Sequence, residues 1–316
     1  MNLTRPSVLI LVNPKSGGGK ARRLVPDVVR ELDARGYAVG QFESRAAGDI
    51  ARRVRATDAE YQALLVVGGD GTVREAIAGG AGVKVPLAVL PCGSANVLST
   101  ELALPRKAAD VARLIDDGYS ERLDSALLRH VDGGQQRASG QGEPAQFLLM
   151  VGAGIDGRVV HRVHERRRGG TLGKFKYVPA VVQEFLQFQP VRHWVTLEEG
   201  TRVGPFAQVL VTNVSSYGAF WKLPGNVDMK DGKLDVFGFR ARGRMGMFAH
   251  TLRGSLNQLT VGKNLFHAQV SRVRVDAEQE SLLQADGDPA GCCPVQIEAR
   301  PASVRLLLPA GTRTVR

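Results

Sequence analysis

Cysteine is scarce in this chain: three residues in 316, two of them adjacent at Cys292 and Cys293. That set supports neither a disulfide framework nor metal-ligand spacing, so a reduced, cytoplasmic setting is expected. Long apolar runs are missing as well. Nothing approaches the roughly 18–20 residues of a membrane span, and the apolar stretch 8–12 is too short for a secretory signal core. Acidic residues are in deficit, with 31 Asp and Glu against 42 Lys and Arg, a formal net charge of +11. Such an excess favours anionic partners: nucleic acid, phosphate-rich ligands or anionic membrane surfaces.

What the chain does have is a set of glycine-rich turns, each directly after an apolar run. The run 63–67 leads into Gly68-Gly69-Asp70-Gly71-Thr72. Glycines reach φ > 0 and let the main chain approach an anion closely. A helix over 73–78 would aim its free N–H groups at the same spot. Asp70 repels phosphates unless a cation intervenes, so the combination points to nucleotide plus Mg²⁺; the plainer alternative is a tight turn with a capping Asp. A second junction, Asn13-Pro14-Lys15-Ser16-Gly17-Gly18-Gly19-Lys20, follows the run 7–12 and precedes a helix over 21–36. It is no Walker A loop, because Pro14 stands where that motif has its first Gly and Ala21 where it has Ser or Thr. A third junction, Pro91-Cys92-Gly93-Ser94-Ala95-Asn96, follows the run 86–90. Three such turns line the carboxyl edge of a parallel sheet, where open α/β sheets bind ligands.

Up to about residue 124, strands at 7–12, 37–42, 63–67 and 86–90 alternate with helices at 20–35, 49–57, 73–81 and 107–117. Alternation of this kind implies a parallel sheet covered by helices. Further on, short runs at 147–151, 194–197, 207–211, 234–239, 270–275 and 304–308 read as an antiparallel sandwich. The stretch 132–143 is polar and glycine-rich, a loop signal, and one helical island spans 158–188. The expected fold is α/β plus β: a parallel-sheet domain over 1–125, then an antiparallel β-sandwich over 126–316 carrying an inserted basic helical segment.

Asn13-Pro14…Ser16-Gly17, Gly68 to Thr72 and Pro91…Gly93-Ser94-Ala95-Asn96 resemble the diacylglycerol kinase catalytic-domain family, which includes bacterial soluble lipid kinases and the sphingosine and ceramide kinases. Gly152-Ala153-Gly154-Ile155-Asp156-Gly157, Asp231-Gly232-Lys233-Leu234-Asp235 and Asp286-Gly287-Asp288 follow in the family's order, so the likeness runs from about residue 8 to 308. The resemblance implies a nucleotide domain, a lipid-binding β-sandwich and an active cleft between them. It implies an ATP- and Mg²⁺-dependent kinase whose acceptor is a hydroxyl of a diacylglycerol-like or sphingoid lipid.

Phosphoryl transfer needs the donor phosphates held, their charge offset, and the acceptor oxygen aligned and deprotonated. Asn13, Pro14, Lys15, Ser16 and Gly17, with Gly68, Gly69, Asp70, Gly71 and Thr72, are the expected nucleotide contacts. Ser94 adds a hydroxyl. Asn96 either reads the nucleotide or caps the helix that follows. Ser44 matches a family position that touches nucleotide, or is a loop serine. The resemblance makes Asp288 the base and Asp286 a partner of Asp70 on the catalytic Mg²⁺. The family usually has Glu at position 288, so this carboxyl lies one methylene, about 1.5 Å, nearer the backbone. Arg74 and Val97 are two more departures, standing where relatives commonly have Asn and Asp.

Asp228 and Asp231, three residues apart with Gly232 beside them, suit a hard-cation loop with one carbonyl ligand; the alternative is an Asp-Gly turn. The resemblance puts a structural divalent ion there, held by Asp228, Asp231 and the Lys233 carbonyl. Arg162, Arg166, Arg167, Arg168, Lys174 and Lys176 lie next to Phe175, Tyr177, Phe185, Leu186 and Phe188. Such a segment suits peripheral docking on an anionic membrane, or a solvated helix face. The partners expected are therefore a lipid alcohol and a membrane surface, with no nucleic acid and a possible homodimer through a sandwich edge. Two other functions fit parts of the pattern: a kinase of NAD, which shares the GGDGT turn, and a nucleotide- or lipid-binding regulator without turnover.

Overall fold

Runs of Val, Leu, Ile and Ala with no polar interruption can only form strands that are covered on both faces. Three such runs, with a more polar and exposed strand at the edge, build the first part of the computed structural model, which describes residues 5–57, 60–131, 144–167, 183, 187, 189–217 and 221–310. The order is β1 (Ser7–Val12), α1 (Lys20–Ala34), β2 (Ala38–Glu43), α2 (Asp49–Arg55), β3 (Ala63–Gly68), α3 (Asp70–Ala78), β4 (Leu87–Pro91), α4 (Val97–Glu101) and α5 (Ala108–Asp117). The strands lie β2-β1-β3-β4, all parallel.

Alternate strand residues face opposite ways. Val8, Ile10, Val12, Leu65, Val67, Ala88 and Leu90 pack with α1 and α5 through Val25, Val28, Leu32, Val111 and Ile115. The intervening residues, among them Leu9, Leu11, Leu64, Val66 and Leu87, are buried as well. Burying each such side chain contributes roughly 2 kcal/mol of transfer free energy. That double covering holds the carboxyl ends of β1, β3 and β4 in line, and the three glycine-rich turns all leave from those ends.

After α5 come β5 (Ser120–His130), β6 (Ala145–Phe147), β7 (Met150–Ala153), α6 (Ile155–Arg167), β8 (His193–Leu197), β9 (Arg202–Phe206), β10 (Gln208–Thr212), β11 (Ser216–Tyr217), β12 (Trp221–Lys222) and β13 (Leu234–Phe239). Then follow α7 (Gly243–Ser255), β14 (Leu265–Val270), β15 (Arg272–Ala277), β16 (Leu282–Ala285), β17 (Asp288–Cys292) and β18 (Val295–Leu307). One antiparallel sheet runs β14-β13-β10-β7-β16-β17. A second set pairs β18 with β15, β15 with β8 and β8 with β9. Val151, Ala153, Val209, Val211, Val236 and Leu283 from the first share one core with Val195, Phe206, Val273, Val275, Val295 and Ile297 from the second. This is a β-sandwich.

The described residues divide into two compact units, those from 5 to 123 with 302–310, and those from 124 to 301. The return of 302–310 differs from the expected single boundary at 125. The cause is β18: 13 residues long, it pairs with β15 at one end and with Leu87 of β4 at the other. The expected loop 132–143 lies outside the described residues, as does most of the helical island beyond 167.

Candidate active site

In the first unit, backbone contacts lock the three turns together. A Cβ on Gly69 would sit 2.9 Å from the Gly93 Cα, and one on Gly93 would sit 2.6 Å from the Gly69 Cα. The second and third turns therefore touch main chain to main chain. Gly17, at φ +61, is equally tight against the Cys92 carbonyl. Asn13 Nδ2 donates to Thr72 Oγ1 at 3.3 Å, while Asn13 Oδ1 accepts the Lys15 N–H at 3.2 Å. The Cys92 N–H donates to the Gly68 carbonyl at 2.7 Å, and the Ser44 N–H to the Val12 carbonyl at 2.9 Å. Asn13 through Gly17, Ser44, Gly68 through Thr72, Ser94 and Asn96 are thus all at the carboxyl ends of β1 to β4.

Helix α3 begins at Asp70, three residues before the expected start. Asp70, Gly71 and Thr72 form its first turn, where main-chain N–H groups lack helical acceptors. The Asp70 carboxylate accepts the N–H of Val97 at 3.0 Å and of Leu98 at 3.2 Å. It thereby ties the second turn to the third, and half of the plainer alternative holds: Asp70 caps a helix, though not its own. Burial pushes its pKa up against those two hydrogen bonds. Asn96, at φ 50, donates through Nδ2 to the Gly93 carbonyl at 2.9 Å. Its buried Oδ1 has no hydrogen-bond partner. Glu75 is explained locally, since its Oε1 accepts the Ile50 N–H at 3.0 Å. Cys92 is buried, which pushes its thiol up to about 11 and makes it a packing residue.

In the second unit, Asp286 and Gly287 are the two central residues of the β16–β17 hairpin, with φ of 50 and 82. Two successive positive φ values are the signature of a type I′ turn, which Asp-Gly favours. The Asp286 carboxylate accepts three main-chain N–H groups, from Leu148, Leu149 and Met150, at 2.8 to 2.9 Å. Asp288 is the half-buried first residue of β17.

The same hairpin is held by a buried polar chain of which the sequence had shown only Asp156. Gln284 Oε1 accepts the Gly287 N–H at 2.8 Å, and Gln284 Nε2 donates to Asp156 Oδ2 at 2.7 Å. Tyr217 donates its hydroxyl to Asp156 Oδ1 at 2.8 Å. Burial raises the pKa of both Asp156 and Tyr217. Asp156 lies in the first turn of α6, inside the glycine motif that pointed to it. No sequence signal marked Gln284 or Tyr217.

Asp228 and Asp231 serve their own loop. Asp228 Oδ1 accepts the Lys230 N–H at 3.1 Å, and Asp231 Oδ1 accepts the Lys233 N–H at 2.9 Å. Asp124 Oδ2 accepts the neighbouring Gly232 N–H at 2.7 Å. Of the basic docking segment, 168–182 lies outside the described residues. Arg162 helps line a cavity of about 340 Å³ with Arg158, His161, Glu165 and Glu280, a lining of mixed charge.

Two family models match most of the chain: the diacylglycerol kinase catalytic domain over residues 7–128, and the YegS C-terminal NAD kinase beta sandwich-like domain over 149–308. A diacylglycerol kinase of Mycobacterium tuberculosis is 28% identical over 313 residues, covering 96% of this chain and 95% of its own. One of Bacillus subtilis is 23% identical over 289 residues, 90% of each. A crystal structure of a Bacillus anthracis diacylglycerol kinase superposes with a TM-score of 0.71 at 21% identity, over 99% of this chain and all of that one. Fold, loops and matches together define a lipid kinase. The chain belongs to the diacylglycerol kinase catalytic-domain family.

Proposed function

We propose that this kinase transfers the γ-phosphate of ATP, with Mg²⁺, to a hydroxyl of a diacylglycerol-like or sphingoid lipid. One observation carries the reading: Gly17, Gly69 and Gly93 interlock the three turns at distances that admit no Cβ. What is left at the surface of such a cradle is main-chain N–H, the donor type that phosphates seek. In the loops 13–17 and 68–72, the N–H groups of Gly17, Gly69 and Gly71 would take the donor phosphates, with Thr72 and Ser94 hydroxyls beside them and Ser44 flanking; those of Asn13, Lys15, Ser16 and Thr72 are spent within the turns. The unpartnered Asn96 Oδ1 suits a donor on the nucleotide's base or ribose.

Mg²⁺, when bound, offsets the phosphate charge. Asp70 fits it: burial raises its pKa despite the main-chain N–H groups of Val97, Leu98, Asn96 and Asp70 itself, so its negative charge is one that a cation would stabilise. Asp286 fits less well, because three N–H groups already balance it. We assign it to holding the hairpin that presents Asp288. Asp288 takes the proton from the acceptor hydroxyl at a carboxylate oxygen. Asp228, Asp231 and the Lys233 carbonyl would hold a structural cation. The reading includes a cytoplasmic enzyme working at an anionic membrane surface, where lipid acceptors lie.

ATP consumption measured with a panel of lipid alcohols in mixed micelles tests the reading. The sandwich family's name puts NAD in the panel as well. Turnover with a lipid and none with NAD is expected; the reverse would sink the proposal, and no turnover with any acceptor would leave only a binding regulator. Asp288→Ala is expected to lose at least about 100-fold in kcat. Asp288→Glu is expected to gain if the shortened side chain is a handicap.

A further inference from the structure

Large exposed apolar side chains are few among the described residues, and most of them fall on one segment. Met245 is 77% exposed, Leu252 49%, Leu256 56% and, just beyond the helix, Val261 51%. At 100° per residue, Met245, Leu252 and Leu256 share one face of α7 within an arc of about 40°. Phe248 lies near them but is engaged by a contact of its own. The opposite face is spent on folding: Met247 and His250 are buried, and a Cβ on Gly254 would meet the Trp221 ring at 2.6 Å. Met247 joins the core formed by Phe237, Phe239 and Leu265. The helix therefore carries apolar residues on both faces, Met247 inward with His250 and Gly254, and Met245, Leu252 and Leu256 outward.

The stretch of chain that carries this face is basic, although Arg272 and Arg274 at its far end pair with Glu298 and Asp276. Between Asp235 and Asp276 there is no acidic residue, while Arg240, Arg242, Arg244, Arg253, Lys263, Arg272 and Arg274 fall in that interval. Arg242, Arg253 and Lys263 are exposed. An apolar ridge with a basic surround complements a bilayer that carries anionic headgroups. A protein partner of ordinary surface would find no acid on this segment to pair with its own basic groups.

We infer that the outer face of α7 docks on an anionic lipid bilayer, with Met245, Leu252 and Leu256 entering the headgroup region and Arg242 and Arg253 on lipid phosphates. The inference goes beyond the proposed reaction and rests only on the chain's being a lipid kinase, whose acceptor lies in such a surface. This face is separate from the basic segment 161–176 expected from sequence, most of which lies outside the described residues.

Vesicle co-sedimentation without nucleotide tests it, using equal parts phosphatidylglycerol and phosphatidylcholine against phosphatidylcholine alone. Wild type is expected to prefer the anionic vesicles. Met245→Ser/Leu252→Ser/Leu256→Ser is expected to weaken that binding about tenfold or more, and Arg242→Glu/Arg253→Glu to remove the preference for anionic lipid. Turnover on a short-chain lipid alcohol in micelles reports separately on the proposed reaction and should not change in either variant. A Leu252→Trp reporter reads insertion directly, as a blue-shifted emission on adding vesicles. Unchanged partition of the triple variant, an unshifted reporter, or a dimer that the triple variant dissolves with vesicle binding intact would each overturn the docking face.

Discussion

Asp70 and Asp286 invite comparison, because each is a carboxylate at the end of a strand, next to glycine, with main-chain N–H groups as partners. They differ in what those partners achieve. Asp286 turns a corner: it occupies a type I′ hairpin and accepts three short N–H bonds from one neighbouring segment. Asp70 joins two loops: it accepts the Val97 and Leu98 N–H groups at 3.0 and 3.2 Å, its own N–H and that of Asn96 add to them, and burial still outweighs them all and raises its pKa. A charge that is fully matched belongs to the architecture. One left partly unmatched beside a phosphate cradle is available for a ligand.

The largest effect should come from breaking the matched one. Asp286→Ala would leave three N–H groups of residues 148–150 buried without an acceptor and is expected to cost on the order of 4 kcal/mol. Denaturant unfolding of the second unit is the measurement, and a change below about 1 kcal/mol would show that the hairpin does not depend on the carboxylate. In the first unit the corresponding test is Gly17→Ala. A side chain there meets the Cys92 carbonyl and must adopt φ +61, for an expected loss of about 3 kcal/mol together with weaker nucleotide binding. Denaturant unfolding reads the first and calorimetric titration of ATP the second.

The second unit also has a pH dependence of its own. His193 is fully buried, and burial lowers its pKa from 6.5 to about 4. Its Nδ1–H donates to the Phe206 carbonyl at 3.2 Å and Nε2 accepts from the Ser281 hydroxyl at 2.7 Å, with the tautomer assigned from the carbonyl partner. The unfolded chain binds a proton near pH 6.5 that the folded chain refuses until about 4. Stability from this group is therefore full above 6.5 and declines as pH falls towards 4, by at most about 3 kcal/mol. Unfolding free energies of wild type and His193→Gln across that range should converge at low pH; parallel curves would refute the assignment.

Sequence showed the first unit better than the second for a physical reason. A parallel strand buried on both faces is an unbroken apolar run, and each one here ends in a glycine turn, so β1, β3 and β4 and their loops can be read in order. In the sandwich, short strands such as β11, β12 and β16 have no such boundary, and α7 hides its helical period by placing apolar residues on both faces. The partners of Asp286 lie 136 to 138 residues earlier in the chain. Nothing local announces them, so the resemblance, which pairs Asp286 with Asp70 on Mg²⁺, carried no hint of them. The helix start at Asp70 was missed because Gly71 and Thr72 are weak helix formers in isolation, and the interlocked turns override that preference.

Asp70→Asn has the smallest expected effect on stability and is the sharpest test of the comparison. Because the folded pKa is raised, ionised Asp70 costs stability as pH rises through and above the ordinary carboxylate range, and the cost is absent below it. A neutral amide escapes that cost at neutral pH. Against this, its NH₂ group cannot accept one of the two N–H bonds from Val97 and Leu98, a loss of about 1 kcal/mol. The two changes oppose each other, so the midpoint of unfolding should move by no more than the equivalent of about 1 kcal/mol. Turnover should nevertheless fall by at least about 100-fold, because the side chain no longer offers a charge to Mg²⁺. Measured together, unchanged stability with lost activity would separate Asp70 from Asp286. A destabilisation as large as that of Asp286→Ala would make the two carboxylates alike and leave Asp70 a structural clamp.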